Sequence, residues 1–144
     1  MARGGIEVPG APSPVGHYPH ARRVGDLLFV SGAGPRDAAS NTVPGNVLDA
    51  DGNVTDHDIT AQWDSVTGNI AHVLAHCGLD WSDVVDVTVY LTDYARDFAT
   101  YNALWAEKFP SIADAPCRTT MEVSRLPGPI HIELKVIAQF PEGA

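Results

Sequence analysis

Between Ala115 and Ile137 the chain reads APCRTTMEVSRLPGPIHIELKVI. Arg118 stands where a strand begins, just after a proline, and Glu133 interrupts an otherwise apolar run. A guanidinium is a planar fork of donors that matches a carboxylate in two parallel hydrogen bonds. A glutamate sheltered from water has a raised pKa and exchanges protons with a bound water near neutrality. The pair therefore suits a small substrate that bears a carboxylate and is attacked by water. The same two residues also make a structural ion pair, or two solvated strand positions, because perturbed charges are often structural. If Leu126 to Pro129 close a hairpin, Arg118 falls near Ile137 and Glu133 near Glu122. That offset of four residues is about 13 Å along the strand, so the two groups of one chain do not touch. They converge only where neighbouring subunits bring two such faces together.

Other chemistry-bearing residues carry less. Cys77 and Cys117 lack metal spacing and are too few for a disulfide framework. Cys117 adjoins Arg118, which could lower its pKa, yet it reads more simply as a small packing residue. His72 and His76 lie four apart without the glutamate or third ligand of a zinc site. Asp49, Asp51 and Asn53 open like a calcium loop, but Gly52 comes too early and no glutamate closes it. No nucleotide-binding glycine loop is present, so neither metal nor cofactor is expected. The net charge of −9 repels phosphate backbones and disfavours nucleic acid. No apolar run reaches the length of a membrane span, and the first residues lack the apolar core of a secretory signal. A cytoplasmic protein is expected, and the Asn53-Val54-Thr55 sequon is then without meaning.

The elements that must position Arg118 and Glu133 follow from periodicity. The 144 residues are enough for one domain, 1–144, with a Pro/Gly-rich arm over 1–17. Asp26–Gly32 reads as a buried strand, and the turn formers after it as a long loop. Ile59, Trp63, Val66, Ile70, Val73 and Cys77 recur at spacings of four and three, which predicts a helix capped by Thr55 or Asp56 and stopped at Gly78. Val84–Asp93 alternates as a strand, with Val85, Val87, Val89 and Leu91 on one face and Asp86, Thr88, Tyr90 and Thr92 on the other. A second helix is expected over Asp97–Phe109, ended by Pro110. Met121 and Val123 are expected on the core face of the next strand, opposite Arg118, Thr120, Glu122 and Ser124. In the last strand Ile130, Ile132, Leu134, Val136 and Ala138 face the core, and His131, Glu133 and Lys135 face away. The order is an α+β arrangement, one sheet with both helices on one side. Its other face, holding Thr88, Tyr90, Thr120 and Ile137, suits a subunit interface, so a homo-oligomer is expected.

The segment PCRTTMEVSRLPGPIHIEL resembles the C-terminal signature of the RidA/YjgF family of reactive-intermediate (enamine/imine) deaminases. The resemblance extends to VGHYPHARRVGDLLFVSG, to the helix containing Ala61-Gln62 and to DVTVYLTDYARDFATYN. The run YPHARRVGDLLFVSG, the loop ending in DADGN, and RTT after the proline are similar to the 2-aminomuconate deaminase branch. The resemblance implies a chorismate-mutase-like fold, assembled as a homotrimer whose three sheets form a central barrel with clefts between subunits. It implies that Arg118 grips the substrate carboxylate and Glu133 orients a water. Tyr18, Asn102 and the backbone around Ser31 and Gly32 would line the cleft. Thr120 stands where typical members have a cysteine, which puts their amino-acid-derived imines in doubt. The expected activity is hydrolytic deamination of a small carboxylate-bearing enamine or imine without a cofactor, with 2-aminomuconate the leading substrate. The alternatives are general clearance of 2-aminoacrylate-type imines and non-catalytic binding of a small oxo acid. A muconate-type substrate has a second carboxylate, for which Arg22, Arg23, Arg36 and His20 are the candidate cations.

Overall fold

Among the described residues the chain forms eight strands and two α-helices, whose apolar stripes cover one face of a sheet. The computed structural model describes residues 4–144. In chain order the strands are β1 (Gly5–Ile6), β2 (Ala21–Val24), β3 (Leu27–Ala33), β4 (Val47–Leu48), β5 (Val54–Asp56), β6 (Val84–Leu91), β7 (Cys117–Glu122) and β8 (Ile132–Gln139). Helix α1 (Ile59–His76) lies between β5 and β6, and α2 (Tyr94–Lys108) between β6 and β7. Six strands form one sheet in the order β1-β2-β3-β8-β6-β7, and β4 and β5 form a separate hairpin. The fold is α+β, with a mixed sheet and two helices.

The strand β7 is not the hairpin partner of β8. It pairs in parallel with β6 through the α2 crossover, with Arg118 beside Val87. β8 instead fills the gap between β3 and β6 and is antiparallel to both. The composition of the two strands accounts for this. Ile132, Leu134, Val136 and Ala138 of β8 are fully buried, and a strand this apolar is best served where both edges and the helix face are covered. The polar CRTTME of β7 tolerates the sheet edge.

Parity then decides the faces. Val87, Val89 and Leu91 of β6 point into the core under the helices. Arg118 and Thr120 sit opposite Val87 and Val89, so they lie on the helix side. Met121, expected in the core, is exposed on the open face, and Thr120 does not belong to that face. A bulge between Val84 and Asp86 buries Val84 and turns Val85 outward, which reverses the expected orientation of Val85. Glu133 and Lys135 do face away from the helices, beside Tyr90 and Thr88. His131 precedes β8 and is turned toward α1, away from the face it was expected to share with Glu133.

Helix α1 is capped two residues after Asp56 and three after Thr55, the expected caps. Asp58 is its cap, accepting from the Thr60 and Ala61 amides at 2.9 and 3.4 Å. Its stripe of Ile59, Trp63, Val66, Ile70 and Val73 is buried, and Gly78 ends the helix at a positive φ. Helix α2 starts earlier than expected, at Tyr94 with Asp93 as cap, and buries Tyr101 and Trp105 against Trp63. The arm is built into the domain: β1 pairs with β2, and Val8 is buried in the core. Residues 1–3 of the arm lie outside the described residues. Among the described residues no helix is long and apolar enough to cross a membrane.

Candidate active site

The expected site residues fall into two groups on opposite faces of the sheet. The first is built on β7 and α2. The Arg118 guanidinium lies over the rings of Tyr101 and Trp105, 5.3 and 5.0 Å from their centres. One of its nitrogens donates to Asn102 Oδ1 at 2.9 Å. A cation held on an aromatic shelf by one amide keeps most of its donor fork for an anion. The Thr120 hydroxyl is engaged with the Tyr101 hydroxyl at 2.7 Å, so it steadies the shelf. Burial raises the pKa of Tyr101 and keeps it neutral beside the arginine.

The second group lies around the β3–β8 pairing. A bulge in β3 between Val30 and Ala33 places Ser31 and Gly32 out of regular register with β8. A Cβ on Gly32 would lie 2.8 Å from Glu133 Oε2, so any side chain here would push the carboxylate out of its present position. Burial raises the Glu133 pKa. Ser31 serves the scaffold: its hydroxyl donates to Pro19 O at 2.7 Å and its amide to His20 O at 2.9 Å. These bonds anchor the segment carrying Tyr18, which is 44 % exposed. Tyr18, Ser31 and Gly32 line one cavity of about 60 Å³ together with His20, Arg36 and Asn69. Tyr18 also lines a second, more open cavity of about 430 Å³ with Glu7, His17 and Pro19, and neither cavity is walled by Arg118 or Glu133.

Of the four cations considered for a second carboxylate, only His20 and Arg36 reach the smaller cavity. His20 is committed to the arm: Nδ1 accepts from the Val8 amide, so Nε2 donates to Pro12 O. Arg23 is spent on Gly25 O, Ala144 O and the face of Phe140. Arg22 lies in register with Phe29 on β3, outside the cavity wall. Arg36 donates to Asn41 Oδ1 and Ser13 O, and Asn69 of α1 fixes its backbone by donating to its carbonyl at 2.8 Å.

The other candidates resolve into structural roles. His72 Nε2 is 2.8 Å from Pro9 O, which ties α1 to the arm. Asp49 accepts from the Asp51 and Asn53 amides and so closes the β4–β5 hairpin, which the sequence reading took for loop. Among the described residues no cluster of three His, Cys, Asp or Glu side chains is placed to hold a metal ion. Cys117 is exposed and Cys77 half-buried.

Along the chain direction Arg118 and Glu133 sit three β6 residues apart, beside Val87 and Tyr90, on strands flanking β6. Strand spacing and rise put their backbones about 14 Å apart, with the side chains on opposite faces. The structure does not bring them together within one chain.

A family model described as Endoribonuclease L-PSP matches residues 9–140. The chain belongs to this family. A RutC family protein of Pyrococcus abyssi is 38 % identical over 138 residues, 96 % of this chain and 98 % of the relative. The chloroplastic Reactive Intermediate Deaminase A of Arabidopsis thaliana is 34 % identical over 128 residues, 89 % of this chain and 61 % of that protein. Among solved structures, E. coli TdcF with bound serine superposes with a TM-score of 0.79 at 27 % identity, covering 96 % of this chain and all of that one. The RidA resemblance of the C-terminal signature thus extends over the whole domain. The family includes a reactive intermediate deaminase, and the aminomuconate branch is not singled out by these relatives.

Two features of the neighbourhood escaped the sequence reading. The aromatic shelf of Tyr101 and Trp105 was seen only as a packing stripe. A buried polar network was missed altogether: His57 Nε2 donates to Asp97 Oδ2 at 2.8 Å, and the His57 ring stacks on His131 with centroids 3.7 Å apart. Gln62, fully buried on the flank of the α1 stripe, bonds to His131 and Asn46. A glutamine beside Trp63 in an apolar stripe was the available signal.

Proposed function

We propose that this protein is a hydrolytic deaminase acting on a small enamine or imine that bears a carboxylate, and that it works as a closed ring of three identical chains. The observation that carries the reading is the arrangement of Arg118 on its aromatic shelf and Glu133 in its sheltered notch. Arg118 takes the substrate carboxylate as a bidentate pair. Protonation of the enamine at carbon by a solvent proton gives the iminium ion, and that proton returns to solvent when the carbonyl forms. Water polarised by Glu133 adds to the imine carbon, and the carbinolamine collapses to the oxo acid and ammonia, so one water is consumed and one ammonia released. Glu133 collects the proton from water and returns it to the departing nitrogen.

Because the two groups lie on opposite faces, one chain's β7 edge must meet another chain's open face. Such a head-to-tail contact joins different patches and closes as a ring. The bound serine of TdcF, a small molecule with an α-carboxylate, supports the substrate class. The net charge of −9 weighs against the ribonuclease activity in the family's description.

The substrate in this reading is 2-aminomuconate, with Arg36, which shares a cavity wall with Tyr18 and Gly32, the cation tested for its second carboxylate. General clearance of 2-aminoacrylate-type imines is the competing reading, supported by the similarity to Reactive Intermediate Deaminase A. Ammonia release on both compounds tests the two, with wild type and Arg36→Gln side by side. The aminomuconate reading expects Arg36→Gln to raise KM for the dicarboxylate alone. Equal effects on both substrates leave the general imine deaminase. No turnover of either, with oxo acids still bound, leaves a binding protein.

A further inference from the structure

The entry to β8 is held by a clamp whose donors and acceptors permit only one protonation state. The His131 amide donates to Gln62 Oε1 at 2.9 Å. An amide N–H can only donate, so the orientation of Gln62 is fixed and its NH2 faces His131 Nδ1, 3.3 Å away. Nδ1 must then be an acceptor and Nε2 must carry the hydrogen. A second proton on His131 would set N–H against N–H inside a pocket where Gln62 is fully buried. The same NH2 donates to Asn46 Oδ1 at 2.8 Å, and Asn46 donates to Pro129 O at 2.7 Å. One glutamine of α1 thus ties down both the Leu126–Ile130 connection and the first residue of the approach to β8. Glu133 follows two residues later.

We propose that Gln62 and His131 are positioning residues for the candidate site, which hold the start of β8, and Glu133 with it, only while His131 is neutral. The role assigned to Glu133 rests on the deaminase reading; the clamp itself does not. The charged and titratable groups that face His131 are His57 from the segment before α1, and Asp97, Arg96 and Asp93 from α2 and its cap. His57 is engaged with Asp97, and Arg96 donates to Asp56 and to His57 O. Burial first, and then the neighbouring His57, lower the His131 pKa. A base with a depressed folded-state pKa binds its proton more readily in the unfolded chain. Its contribution to stability is therefore complete above the ordinary histidine value of about 6.5 and is lost as pH falls below it.

The test is amide hydrogen exchange at Ile132–Leu134 between pH 8 and pH 5, with wild type and His131→Asn compared at each pH, and ¹⁵N NMR of the wild-type ring. Asparagine offers Oδ1 as acceptor to Gln62 but does not titrate. The expected ring is neutral and Nε2-protonated at pH 7. Protection of these amides in wild type should fall by up to about tenfold per pH unit below pH 6.5, and should stay flatter in His131→Asn. The acidic limb of kcat should shift to lower pH in the same variant. A His131 ring charged at pH 7, the other tautomer, or equal loss of protection in both proteins overturns the proposal. Where His131→Asn fails to fold, the wild-type ring and exchange data decide alone. If the clamp behaves as expected while neither enamine is turned over, it is the deaminase reading that fails.

Discussion

At the scale of the residue, Arg118 and Glu133 carry different parts of the account and should fail differently. Arg118→Ala removes the carboxylate clamp, so it should raise KM and weaken binding of oxo-acid product analogues as well as lower turnover. Glu133→Gln keeps the shape and loses the base, so it should cost about 10²–10⁴ in kcat with little change in binding. Steady-state kinetics with calorimetric binding of a product analogue separates the two; equal losses of binding in both would contradict the assigned roles. Because burial raises the Glu133 pKa, and a base must be ionised, kcat should fall on acidification at a pH above the ordinary carboxylate range. The chemistry of these two residues is legible from their types. Their surroundings are not, because the partners are distant in sequence: Asn102 lies sixteen residues from Arg118, and Gln62 lies 69 residues from His131. Neither spacing has a local pattern.

At the scale of the element, the helices were legible because their stripes are long and repeated. The strand order was not. The apolar alternation of β8 is the same whether its neighbour is β7 or β6, and a short polar strand followed by Leu-Pro-Gly-Pro imitates a hairpin. The competing fact is the α2 crossover, which makes β7 parallel to β6 and leaves β8 to fill the centre of the sheet. Face assignments in β7 inverted with that change, and the bulge in β6 turned Val85 outward. The β3 bulge gives an element-level prediction. Gly32→Ala places a methyl 2.8 Å from Glu133 Oε2, so it should lower kcat by displacing the carboxylate, with thermal stability changed much less than activity. A parallel check on the scaffold is Asp58→Ala, which removes the α1 cap and should cost about 1 kcal/mol in denaturant unfolding without changing KM.

At the scale of the whole molecule, the account stands on one claim: each site takes Arg118 from one chain and Glu133 from its neighbour. The two groups lie on opposite faces of the same sheet and about 14 Å apart at the backbone, and neither cavity beside Tyr18 is walled by Arg118 or Glu133. A stable monomer with full activity by light scattering would already be incompatible with it. Subunit complementation tests the claim most directly. Arg118→Ala and Glu133→Gln are each prepared as inactive proteins, unfolded together, refolded as a mixture and assayed for ammonia release. A shared site between an Arg118→Ala chain and a Glu133→Gln chain can combine an intact Glu133 with an intact Arg118, so the mixture should recover on the order of a quarter of wild-type activity by random assortment around a ring. A mixture that forms mixed oligomers yet stays as inactive as its components would place both residues in one chain's site and contradict the account.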